Sequence, residues 1–116
     1  MTLKDYTETS TALITLAKQI EDAKRPAYTI GDADVLANFK RIASRTGLTP
    51  GQVLAVYMLK HIDAITAALT NPMITQSEEL EGRFADALNY VKLAFALLVE
   101  QGLADAKGTE GNKGAD

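Results

Sequence analysis

The 116-residue chain is 47% hydrophobic and 23% charged, carries no cysteine and one histidine, and has a formal net charge of −3. That length suits a single domain that buries a core without staples, and the absent cysteines exclude disulfides and thiolate metal sites. The acidic balance argues against a protein that coats duplex nucleic acid, which needs a basic surplus to displace counterions.

No apolar run reaches the roughly 20 residues that span a bilayer, and Met1 to Tyr6 lacks the pattern of a signal peptide. The expectation is a soluble cytoplasmic protein with no membrane partner.

The first helix is predicted from Leu3 to about Lys24, with Tyr6, Leu13, Ala17 and Ile20 near one line and Ile14 and Leu16 beside it. Arg25-Pro26 is expected to end it, because the residue before proline is pushed out of the α region. An extended connector over Ala27 to Gly31 follows. Asp32 is placed as the cap of a second helix from about Ala33 to Thr46, in which Val35, Leu36, Phe39, Ile42 and Ala43 share a face. Gly47 suits the left-handed closing position.

Thr49-Pro50-Gly51-Gln52 reads as a capping box with proline at the first helical position. The third helix then runs to about Leu69, burying Leu54, Met58, Ile62, Ile65 and Leu69, and Asn71-Pro72 stops it. Ser77 is expected to cap the fourth helix, with Glu78 and Glu79 complementing its positive end. Two lines run along that helix. Leu80, Phe84, Ala87, Leu88, Val91, Ala94, Phe95 and Leu98 make a broad apolar stripe, expected to be core. Glu79, Arg83, Asp86 and Tyr90 make a second line that continues as Leu93 and Leu97, so this helix should be covered on both sides near its end, one side by a neighbouring chain. The whole implies an all-α four-helix bundle over residues 1–101, assembled into a homo-oligomer, with a disordered tail over 102–116.

Chemistry is sparse. His61 sits with Tyr57 at i, i+4, beside Lys60 and Asp63, and is read either as a boundary histidine bonded to a backbone or carboxylate partner or as a ligand contact. The row Glu79, Arg83, Asp86 is compatible with a salt-bridge ladder, a ligand pocket or a magnesium site, and Asn89 and Tyr90 extend it with groups that hydrogen-bond or stack. Lys40, Arg41, Arg45, Lys60 and Arg83 come from three helices and would form a phosphate clamp where two or three converge. Neither a P-loop nor a DNA-recognition helix is present.

The block ANFKRIASRTGLTPGQVLAVYMLKHIDAI and the later SEELEGRFADALNYVKLAFALL resemble small phage-encoded helical proteins of the nucleotide-modification-associated type and, more distantly, MazG-like all-α nucleoside triphosphate pyrophosphohydrolases. Lys60-His61-Ile62-Asp63 and Glu81-Gly82-Arg83 with Asp86, Asn89 and Tyr90 carry the likeness, which covers roughly residues 28–100. The resemblance implies dimers or tetramers and carboxylate-held magnesium. Asp86 fits the last acid of that set, but Arg83 stands three residues before it, where those enzymes carry glutamate.

The expected function is therefore non-catalytic binding of a nucleotide, with no cofactor, through Arg83, Lys60, His61, Tyr57, Asn89 and Tyr90. The ligand class would include cyclic oligonucleotides, and a phage protein so equipped could sequester a nucleotide immune signal as an anti-defence device in the host cytoplasm. The alternatives are a magnesium-dependent pyrophosphohydrolase using Asp86, Glu79, Glu81 and Asp63, and a structural helical oligomer with no small ligand.

Overall fold

The computed structural model describes residues 1–29, 33–75 and 79–107, with the backbone alone for 27–29. The connector at Ile30 and Gly31, the Asp32 cap, the Ser77 cap with Glu78, and the tail from Gly108 lie outside the described residues. Four helices follow in order: α1 Leu3–Thr29, α2 Ala37–Thr46, α3 Pro50–Thr70 and α4 Leu80–Glu100. No strand occurs among the described residues. The principal extents are 43 × 42 × 25 Å, so the molecule is a slab about two helix diameters thick. α4 is flanked by α1 and α3, and α2 packs against α3 and α1.

Local chemistry sets most helix ends. Thr2 and Asp5 cap α1 reciprocally: the Asp5 amide donates to Thr2 Oγ1 at 3.1 Å and the Thr2 amide to Asp5 Oδ2 at 3.4 Å. The expected stop at Arg25-Pro26 is corrected, because α1 continues through Pro26 to Thr29. Proline removes the hydrogen bond to the Asp22 carbonyl and crowds it, but the preceding turn is held to α4. Glu21 meets Lys92 at 2.7 Å and Lys24 meets Asp86 at 3.1 Å. Tertiary contacts here override local preference.

α2 starts later than expected, at Ala37. Asp34 organises that start: its Oδ1 accepts the Leu36 amide at 2.9 Å and its backbone carbonyl accepts the Ala37 amide at 3.1 Å. Gly47 closes α2 at φ 74°, its amide donating to the Ala43 carbonyl. Both halves of the α3 capping box form, Gln52 amide to Thr49 Oγ1 at 3.1 Å and Thr49 amide to Gln52 Oε1 at 2.9 Å. Beyond α4, Gly102 turns at φ 77° and the Leu103 amide donates to the Leu98 carbonyl at 2.9 Å, so the expected tail begins with a closed turn.

The core joins Leu36, Phe39 and Ala43 of α2, Val53 and Leu54 of α3, and Tyr90, Leu93 and Leu97 of α4, with Ile42, Met58 and Ala94 at its edge. Two expectations are corrected here. On α3, Leu54 is buried, but Ile62 and Leu69 are exposed while Val53 and His61 are inside. On α4 the inward face is the second line: Arg83, Asp86, Tyr90, Leu93 and Leu97 are buried together with Ala85, Ala87 and Asn89. Leu88, Val91, Phe95 and Leu98 of the apolar stripe are exposed instead. The reason is that polar residues on the inward line find partners there, whereas an outward turn would strip Leu93 and Leu97 from the core.

α3 also bears on membrane length. It has 21 residues with a window of mean hydropathy 1.4, which makes it long and apolar enough to cross a bilayer by length and composition. Lys60, His61 and Asp63 interrupt the apolar run at the middle of this helix.

Candidate functional site

The polar residues of α4 recur at helical spacing, Arg83, Asp86, then Asn89 and Tyr90, so all four project toward the groove between α1 and α3. On α3, Tyr57 and His61 at i, i+4 face the same place. His61, Arg83, Asp86 and Asn89 are each between 1% and 6% exposed, in a chain small enough that apolar side chains would hold this position at lower cost.

Asp86 is the hub. Its Oδ1 receives Lys24 Nζ of α1 at 3.1 Å, and its Oδ2 lies 3.8 Å from His61 Nε2. The other imidazole nitrogen, Nδ1, stands 3.5 Å from Arg83 Nη1. A guanidinium only donates, so this contact fits the tautomer with Nδ1 as acceptor and the proton on Nε2, facing the carboxylate. Asn89 Nδ2 donates to the Ala17 carbonyl of α1 at 2.8 Å, while Asn89 Oδ1 is buried with no hydrogen-bond partner.

An aromatic wall closes one side. The Tyr90 ring stacks with His61 at 5.4 Å and with Tyr57 at 6.0 Å, and Phe39 meets both tyrosines edge-on. Tyr57 is 37% exposed and the Lys24 side chain 47%, so these two mark the rim of an otherwise buried cluster.

Of the six expected ligand contacts, five meet here: Arg83, His61, Tyr57, Asn89 and Tyr90. Lys60 is exposed on another side of α3. Three of the five cations considered for a phosphate clamp are engaged or placed elsewhere. Lys40 is held by Asp34 at 2.6 Å and Glu100 at 2.7 Å, Arg41 donates to Asn38 at 2.9 Å, and Arg45 is exposed.

Sequence reasoning missed Lys24. The signal was there: Leu13, Ala17, Ile20 and Lys24 continue one line, so a charged residue follows an apolar face, as Arg83 and Asp86 precede one on α4. No family of known proteins, curated relative or solved structure matches the chain.

The acidic residues of the magnesium alternative are dispersed. Asp86 is buried while Glu79, Glu81 and Asp63 are exposed, and no group of three potential metal ligands occurs among the described residues. The chain does contain one ExxE spacing, Glu78 to Glu81. Glu78 is outside the described residues and Glu81 lies in the exposed first turn of α4.

Proposed function

We propose that the chain is a non-catalytic nucleotide-binding protein whose site is the cluster shared by α1, α3 and α4. The observation that carries this reading is the burial of Arg83 and Asp86 around His61, with Asn89 buried on the same helix and its side-chain oxygen still lacking a donor. Arg83 and Lys24 supply positive charge for phosphate, Tyr57 offers a partly open ring to a base, and Asn89 and His61 supply hydrogen bonds. The finer assignment, to cyclic oligonucleotides used as immune signals and sequestered by a phage, rests on the sequence resemblance.

Calorimetry with nucleoside triphosphates and cyclic di- and trinucleotides tests the reading. Lys24→Ala and Tyr57→Ala alter rim positions and should each weaken binding about tenfold, or about 1.4 kcal/mol, without unfolding the chain. Absence of heat at high micromolar ligand would sink it.

A second reading, a helical interaction protein with no small ligand, is favoured by the large apolar side chains that α1, α3 and α4 expose, among them Ile14, Leu59 and Phe95. Replacing Arg83 and Asp86 together by Met and Leu separates the two. A purely structural cluster so replaced keeps or gains stability, whereas a binding site so replaced loses its ligand.

A further inference from the structure

A pocket of about 200 Å³ lies where α1, α4 and the turn into α2 meet, lined by Glu21, Arg25, Val35, Lys92, Leu93 and Ala96. Leu93 is 8% exposed and lies deepest, with Val35 and Ala96 as the other apolar walls. The Arg25 and Lys92 side chains are about half exposed and mark the mouth, while Glu21, at 18%, sits further in.

The charges alternate in sign. Glu21 Oε2 meets Lys92 Nζ at 2.7 Å and its Oε1 lies 3.6 Å from Arg25 Nη2, so one carboxylate stands between two cations. The hydrogen bond with Lys92 holds the Glu21 carboxyl below its usual range, which keeps it ionised at neutral pH. Arg25 also reaches Asp22 at 3.2 Å through the same Nη2. Neither contact is the two-pronged grip for which a guanidinium is best shaped.

This order of signs selects a ligand. A plain anion entering the pocket meets Glu21, and a plain amine meets Arg25 and Lys92. A molecule carrying both charges a few ångströms apart meets neither objection, because its ammonium can face Glu21 while its carboxylate faces Arg25.

We infer that this pocket binds a free α-amino acid with an aliphatic side chain, the side chain against Val35, Leu93 and Ala96 and the charged head at the mouth. An apolar cavity of about 150 Å³ holds benzene, so the space here admits a side chain of valine or leucine size. Apolar walls with a few placed polar groups are the usual division of labour in a small-ligand site. The chain's own ion pairs are largely kept. Glu21 retains Lys92 and gains the ammonium, and Arg25 exchanges a 3.6 Å contact for a bidentate one.

Amide NMR spectra of the full chain titrated with L-leucine test this site. The amides of Glu21, Arg25, Lys92, Leu93 and Ala96 should shift together and saturate in the millimolar range, as so few ligand atoms allow. Leucinamide lacks the negative charge and isocaproate, the same skeleton without the amine, lacks the positive one. Each should bind about tenfold more weakly, since each forfeits a charged hydrogen bond. Glu21→Gln should erase the preference for leucine over isocaproate. Ala96→Leu, at a partly buried position, should fill the pocket and abolish the shifts with unchanged helical circular dichroism; if either variant misfolds, the analogue series on the unsubstituted chain decides alone. No saturable shift at tens of millimolar leucine, an analogue that binds as tightly as leucine, a folded Glu21→Gln that still prefers leucine, or a folded Ala96→Leu that still binds would overturn the inference. None of these outcomes depends on nucleotide binding.

Discussion

Asp86 is buried between a lysine and a histidine, and its removal leaves Lys24 Nζ and His61 Nε2 without the carboxylate they share. Breaking one side of such a buried arrangement costs roughly 3–5 kcal/mol, so Asp86→Ala should lower the urea midpoint substantially, whereas Asp63→Ala on the exposed face of α3 should leave it nearly unchanged. Glu21 titrates differently. Its hydrogen bond with Lys92 is the largest influence and holds its carboxyl below the usual value of 4.5, with burial opposing. A depressed folded value means that the contribution is complete above the unfolded value and disappears as pH falls through the folded one. Lys92→Ala should therefore flatten the fall in melting temperature below about pH 4.5, the region where a free glutamate titrates.

Helix ends were legible in the sequence where the chemistry is local. Thr49 with Gln52, and Gly47 after α2, need only their own neighbours and formed as expected. Thr49→Ala should cost about 1 kcal/mol, read as a lower thermal midpoint. The facing of α4 was not legible in the same way. Both of its lines are apolar in the second half, through Leu93 and Leu97 on one and Val91, Phe95 and Leu98 on the other, so periodicity alone cannot choose between them. The choice is made by partners on other helices: His61, Lys24 and the Ala17 carbonyl accept the polar members of one line only. The same logic explains Pro26, whose local penalty is outweighed by ion pairs reaching α4. Pro26→Ala should restore the bond to the Asp22 carbonyl and stabilise the chain by about 1–2 kcal/mol, less than the ~3 kcal/mol of a mid-helix proline because it lies in the last turns.

At the scale of the whole molecule the sequence indicated four helices and most of the polar residues that the fold buries together, but not that the helices leave so much apolar surface uncovered. Patterning counts how many apolar residues a helix carries and cannot tell a core within one chain from a core between two. Assembly into the homo-oligomer expected from the sequence would link folding to association, so the melting temperature should rise with protein concentration. A midpoint constant across a hundredfold range of concentration would mean that the folded chain is complete by itself.

The anchorage of α1 has a consequence for its motion. Asn89 grips the Ala17 carbonyl, Glu21 and Lys24 reach α4, and the only fully buried side chain among its described ones is Ala17, while Leu3 and Tyr6 nearer the start are exposed. The first two turns thus form a lever whose fulcrum is near its middle. In deuterium their amides should lose protium early, at a rate set by fraying, while amides beyond Ala17 persist until the slab opens as a unit.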